Sequence, residues 1–192
     1  MAYILRSARW VAADVLHQVI APGDTVIDAT LGNGHDAAML AQLVGESGHV
    51  IGFDIQPDAV ERSTVSLAEK GLLARCSLYA MGHQHMADMV PEGTPVKAVV
   101  FNLGWLPGGN KSVTTLWETT RIAVETALNL IVPGGVVTIC AYPGHEAGDR
   151  ERCALTEYLS ALRPQQFNVL HHRFINAGPG APECFVIQKN PQ

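Results

Sequence analysis

The chain has 192 residues, 47% of them hydrophobic and 16% charged, a globular composition that excludes a disordered class and predicts one domain able to bury its own core. The formal net charge of −5 excludes the strongly basic surface that indiscriminate nucleic-acid coating requires, while leaving room for a local basic patch. Cys76, Cys140, Cys153 and Cys184 form no CxxC pair, no signal-peptide pattern opens the chain and no apolar run reaches membrane-spanning length, so reduced thiols, no membrane partner and a cytoplasmic setting are expected.

Short β-rich runs alternate with helical stretches. Residues 25–29 (TVIDA) follow a Pro-Gly-Asp turn and read as a first strand, and residues 36–44 as a helix. Residues 49–54 (HVIGFD) are a second strand. Residues 57–70 are a second helix, with Pro57 in its first turn and Gly71 just past its end. A short third strand covers 76–78 and a fourth 96–102. A long helix is predicted over 112–130, with Leu116, Ala123, Ala127, Leu128 and Ile131 near one face. Pro133-Gly134 turns the chain into a fifth strand, 135–140; residues 146–162 are helical, and 167–173 and 183–188 close the chain as a pair of strands. This order predicts an α/β, Rossmann-like fold: a mostly parallel seven-stranded sheet, an antiparallel C-terminal hairpin, and helices on both faces. Ligands of such sheets bind beyond the carboxyl ends of the strands, where the strand order reverses.

The loop after the first strand reads DATLGNGHD, residues 28–36. Gly32 and Gly34 permit a tight turn and a close backbone approach to a ligand; a turn alone would use them equally well. Asp28 stands at the strand end. Asp54 ends the second strand about twenty residues after Gly32, where a carboxylate can accept both hydroxyls of an adenosine ribose, and Gln56 shares its tip. Ala37 occupies the third glycine position of the dinucleotide fingerprint, and Asp36 in the first helical turn would repel a pyrophosphate. A cationic ligand tolerates Asp28 and Asp36 better. S-adenosylmethionine, with its sulfonium and amino groups, is therefore favoured over a nicotinamide dinucleotide.

The loop after the fourth strand reads FNLGWLPGGNK, residues 101–111. An apolar strand ending in Asn, then an aromatic and a Gly-rich turn, resembles the Asp/Asn-Pro-Pro-Phe/Tyr motif of amino-group methyltransferases, with Leu-Gly in place of Pro-Pro. Methyl transfer to nitrogen needs an amine lone pair aimed in line at the sulfonium methyl. The Asn102 side-chain oxygen and a nearby backbone carbonyl can accept the amine N–H groups and aim it. Trp105 can stack on a base, cover the methyl, or pack as a core aromatic; Asn102 can also be a plain turn residue.

Gly82 and His83 follow the third strand, where such domains hold adenine or ribose. The His83/His85 pair lacks further ligands at metal spacing, and no metal is expected. His145, in YPGHEAG (residues 142–148), is either an acceptor for the proton an alkylamine must lose or a turn histidine capping the next helix. Lys111, Arg121, Arg150, Arg152, Arg173, Arg6 and Arg9 are the basic residues that could meet a polyanion. The Gly/Pro loop 176–182 either packs across the cleft or is a turn without a role.

Together, DATLGNGHD, GFDIQ, FNLGWLPGGNK and YPGHEAG resemble the small bacterial class I methyltransferases long labelled rRNA methylases, from about Ala21 to the C-terminus. Members of that family are associated with tRNA wobble-uridine modification, the conversion of 5-aminomethyl-2-thiouridine to its methylaminomethyl form. The resemblance implies an S-adenosylmethionine cofactor held at Asn33, Asp54, Gln56 and His83; Gly32, Gly34 and Gly82 are expected beside them from the loop reading. It implies a target amine near Asn102 and Gly104; a tRNA anticodon loop as substrate is expected to meet Trp105, Pro107 and Lys111 of the same loop. It also implies a homodimer. Thr30 stands where general methyltransferase loops carry their first glycine, and Gly82 where a small hydroxyl residue is usual. An rRNA base or a small-molecule amine as substrate, a nucleotide-dependent dehydrogenase, and a non-catalytic binding module are the competing readings.

Overall fold

The computed structural model describes residues 4–106, 108, 113–178 and 180–191. Strands β1 (Thr25–Asp28), β2 (His49–Asp54), β3 (Cys76–Ala80), β4 (Val96–Leu103), β5 (Ile131–Ala141), β6 (Phe167–His172) and β7 (Glu183–Lys189) form one sheet in the order β3-β2-β1-β4-β5-β7-β6. Pairings among β1 to β5 are parallel, and β7 pairs antiparallel with both β5 and β6. The expected hairpin therefore folds inward: β7 inserts between β5 and β6, and β6 takes the edge.

Among the described residues six α-helices flank the sheet: α1 (Ala8–Val19), α2 (His35–Val44), α3 (Pro57–Glu69), α4 (Met86–Met89), α5 (Trp117–Leu130) and α6 (Glu146–Ser160). Alternate residues of β4 feed opposite layers. Val99, Phe101 and Leu103 pack with α5 and α6, while Ala98 and Val100 pack with α2 and Leu16 of α1. This double burial is why the central strands read as continuous apolar runs. Removing Phe53 or Phe101 from water contributes about 1.5–3 kcal/mol each.

Several boundaries differ from expectation for visible reasons. Helix α1 escapes sequence reading because two of its three buried residues, Ala8, Ala12 and Leu16, are alanines, which carry little periodic signal. Helix α5 begins at Trp117, not 112. Leu116 is its extended N-cap and is exposed, and Thr114 bridges Trp105. Ile131 starts β5 instead of ending the helix face. Pro133-Gly134 lies inside β5 as an irregularity in the pairing with β4, between Val96 and Ala98. Strands β3 and β4 run past their expected ends, while β6 stops at His172 and α6 at Ser160.

The strand order reverses between β1 and β4. The loops after β1, β2, β3, β4 and β5 converge there, and they build the site.

Candidate active site

A cleft of about 430 Å³ opens over the carboxyl ends of the strands. Among the residues singled out from sequence, Gly32, Asn33, Asp36, Asp54, Gln56, Gly82, His83, Asn102, Gly104, Trp105 and His145 line it. Asp28 and Gly34 do not. Pro107 and Lys111 lie outside the described residues.

Asp28 sits beneath the cleft, fully buried. Its Oδ1 accepts from the Thr30 N–H at 3.2 Å, and Oδ2 has no hydrogen-bond partner among the described residues. Burial, reinforced by the neighbouring Asp36 charge, pushes its pKa up to about 8. At neutral pH it is a mostly protonated acid under the loop, so the expectation of direct ligand contact does not fit its place. Gly34 is the left-handed N-cap of α2, φ +73°, and a Cβ there would meet the Ser63 Oγ of α3 at 2.8 Å. It shapes the turn and seats α3 against it.

Asp54 holds this loop from the tip of β2. Its Oδ2 accepts from the Gly32 N–H at 2.8 Å and its Oδ1 from the Gln56 N–H at 2.9 Å. Each oxygen keeps acceptor capacity for a ligand hydroxyl. His83 is buried edge-on to Phe101, with ring centroids 5.7 Å apart. Burial pulls its pKa down to about 4 against the opposing hydrogen bond to the Ala29 backbone, so the ring is neutral at physiological pH. His85 faces Asp88 instead, at 3.6 Å, so the two histidines of the HxH string serve different neighbours.

At the end of β4, the Asn102 N–H donates to Thr30 Oγ1 at 2.7 Å and its Nδ2 donates to Asp36 Oδ2 at 2.8 Å. Arg9 of α1 donates to Asp36 Oδ1, also at 2.8 Å. The carboxamide orientation is thereby set: Asp36 can only accept, so Nδ2 faces it and Oδ1 is the group a ligand can use.

The next turn is held from below. The Gly104 N–H donates to Thr115 Oγ1 at 2.9 Å, and its carbonyl accepts from the Thr115 N–H at 3.1 Å. Thr115 and Thr120 donate their hydroxyls to the two Glu151 carboxylate oxygens, each at 2.6 Å. Burial pushes the Glu151 pKa up, and both threonine bonds oppose that shift. Sequence reading marked Thr30 only as a departure in the loop, without its bond to Asn102, and missed Thr115 and Glu151. The last two lie 36 positions apart and leave no local signal.

Trp105 lies against His145, ring centroids 4.3 Å apart and tilted 38°, and both rings face the cleft. His145 caps α6: its Nδ1 accepts from the Gly148 N–H at 3.2 Å. A ring accepting at Nδ1 carries its hydrogen on Nε2, which is buried without a partner among the described residues. With Nδ1 taken by the cap and Nε2 carrying the ring hydrogen, neither nitrogen turns an open lone pair to an amine, and the geometry fits the capping role. The 176–182 loop does reach the cleft. Gly180 lines it, and a Cβ there would come within 3.1 Å of the Gly144 Cα.

The set of groups suits an adenosyl sulfonium ligand: a carboxylate at the ribose position, a neutral histidine, two loop glycines, and Asp36 as the acid a cation tolerates. Comparison with known proteins agrees. A family model described as "Putative rRNA methylase" matches residues 50–188. A chloroplastic tRNA (mnm(5)s(2)U34)-methyltransferase of Arabidopsis thaliana is 43% identical over 193 residues, covering 96% of this chain and 70% of that protein. A solved Clostridium thermocellum structure bearing the family's description superposes with a TM-score of 0.94 at 40% identity, covering 97% of this chain and 100% of that one. A Streptococcus mutans methyltransferase in complex with SAH superposes with a TM-score of 0.87 at 31% identity, covering 97% and 99%. The chain belongs to this rRNA-methylase family and is an S-adenosylmethionine-dependent class I methyltransferase.

Proposed function

We propose that the protein methylates the aminomethyl nitrogen of 5-aminomethyl-(2-thio)uridine at the tRNA wobble position. The observation that carries this reading is the Asn102 carboxamide, turned by Asp36 so that Oδ1 is the acceptor offered to a ligand. An amine donating to Oδ1 has its lone pair aimed elsewhere, and a fixed near-attack pose can lower the barrier by roughly 7–11 kcal/mol. The Arabidopsis relative bears the name of a wobble-uridine methyltransferase, which supports the same substrate.

S-adenosylmethionine supplies the electrophilic methyl group when bound. In this reading Asp54 accepts the ribose hydroxyls, Gln56, Asn33 and the neutral His83 surround the adenosine, and Gly32 and Gly82 let the backbone approach it. Asp36 faces the cationic end. The Gly104 carbonyl, already accepting from Thr115, keeps a lone pair for the amine. Trp105, backed by His145, offers a flat surface for the target base. The amine loses its proton to solvent, since His145 is committed to its cap.

A wobble base sits in a single-stranded loop and can be splayed out cheaply. Arg121 and Arg150 are paired with Glu125 and Glu146. Arg152 and Arg173 have no carboxylate partner among the described residues. They line a second hollow of about 260 Å³ that meets the cleft at Pro143 and Gly180. RNA binding through so few cations should fall with salt. We further propose a homodimer, supported by the exposed Leu5, Trp10 and Leu170 in segments that the His172–Arg6 hydrogen bond draws together. A cytoplasmic setting is proposed too. It is supported by free cysteines and by the lack, among the described residues, of a helix long and apolar enough to cross a membrane.

The test is an assay with labelled S-adenosylmethionine on tRNA bearing aminomethyl-uridine, on matched tRNA lacking that group, and on ribosomal RNA, with nucleosides identified by mass spectrometry. Methylation confined to the first substrate is expected. Labelling of ribosomal RNA, or of none of the three despite cofactor binding, would discard the substrate and keep the methyltransferase.

A further inference from the structure

Arg9 was legible in the sequence only as a basic residue that could meet a polyanion. The structure puts it on the wall of the cofactor cleft, and among the described lining residues it is the one lysine or arginine. Helix α1 delivers it. Ala8 and Ala12 are small enough to let the helix settle on the Cys140, Cys184 and Val186 patch of β5 and β7, and Arg9, next to Ala8, then reaches Asp36. The pair is not saturated. Arg9 spends one N–H on Asp36 Oδ1, its side chain is half exposed, and each Asp36 oxygen accepts one bond. A guanidinium has five N–H donors, and each carboxylate oxygen has a second lone pair. The pair therefore presents free donors and free acceptors, side by side, to the same cleft.

Its position along the cleft is equally specific. Asp54 lies at the tip of β2, Asp36 follows β1 and Asn102 ends β4, and these strands are consecutive in the sheet. A ligand with its ribose at Asp54 and its sulfur near Asn102 directs its remaining end toward Asp36 and Arg9. In S-adenosylmethionine that end is an α-amino acid, carrying one carboxylate and one ammonium.

We propose that the Arg9–Asp36 ion pair is the receptor for this zwitterion, Arg9 binding the α-carboxylate and Asp36 the α-ammonium. Since Asp36 also orients Asn102, occupancy of the receptor and alignment of the acceptor share one carboxylate. The inference rests on the cofactor and not on the RNA substrate.

The test uses thioether ligands and calorimetric affinities, with no turnover needed. The probes are S-adenosylhomocysteine, the 3-aminopropyl thioether of adenosine, which lacks the carboxylate, and the 3-carboxypropyl thioether, which lacks the amine. Arg9→Ala should weaken S-adenosylhomocysteine and the carboxypropyl ligand by roughly tenfold to a hundredfold, the size of a lost charged hydrogen bond, and leave the aminopropyl ligand within about twofold. Arg9→Lys should restore part of the loss. Equal weakening of all three ligands would overturn the proposal and make Arg9 a support for the fold. Unchanged affinity for all three, with a raised and salt-dependent KM for RNA, would overturn it in favour of a phosphate contact.

Discussion

Asn102 and Asp36 stand 66 positions apart and meet through a 2.8 Å hydrogen bond at the mouth of the β1–β4 crevice. An asparagine at the end of a strand can present either end of its amide. The carboxylate removes that freedom, because only Nδ2 can donate to it. Thr30 fixes the same residue through its backbone, so side chain and main chain are both held.

Asn102→Ala should therefore lower kcat by roughly a hundredfold or more, the cost of losing a near-attack pose, with the dissociation constant for S-adenosylhomocysteine changed less than about threefold. Asp36→Ala should also depress kcat, since the amide can then turn over. Single-turnover kinetics alongside calorimetry would separate the effects. A rise in KM at unchanged kcat would remove Asn102 from the chemistry.

The sequence carries the sheet, the cleft and most of its lining because those depend on local signals: apolar strand runs, helix punctuation, and glycines and acids at strand ends. It does not carry what depends on long-range pairing. Asp28 looks like a ligand contact by its place in the string, yet β1 ends with its side chain turned beneath the loop. Thr115 and Glu151 are ordinary polar residues until α6 swings under the β4 loop. The start of α5 was displaced for the same reason: Gly104 takes Thr115 out of the helical pattern. His145 reads as catalytic or capping, and only the Gly148 N–H decides between them.

Asp54→Ala should weaken S-adenosylhomocysteine binding by about tenfold to a hundredfold. The variant loses the ribose acceptor and also frees the Gly32 and Gln56 N–H groups it now holds. Calorimetric titration measures this directly. Affinity equal to the parent's would remove the ribose from this position.

Asp28 ties stability to pH with a definite sign. Its pKa is raised from 3.8 to about 8 by folding, so the folded state keeps a proton that the unfolded chain gives up. Its effect is absent below pH 4. Stability then falls as pH rises toward 8, by up to about 1.4 kcal/mol per unit from this group. Asp28→Asn, which mimics the protonated acid, should flatten that decline. The difference between the two proteins in urea unfolding should be small at pH 5 and several-fold larger at pH 8.5. Parallel curves across this range would show that Asp28 is ionised in the folded protein.

Glu151 is the anchor of the Gly104 turn, and its removal should be felt in both stability and catalysis. Glu151→Ala leaves the Thr115 and Thr120 hydroxyls without their acceptor in a buried site, a loss of about 2–4 kcal/mol in urea unfolding. Glu151→Gln keeps the shape and one good acceptor, and should cost about half as much. Because Thr115 is also the partner of Gly104, the alanine variant should lose kcat under conditions where it remains folded, while Asp54 and His83, on other loops, still hold the cofactor. An alanine variant with parental kcat would show that the Gly104 turn keeps its geometry without the anchor.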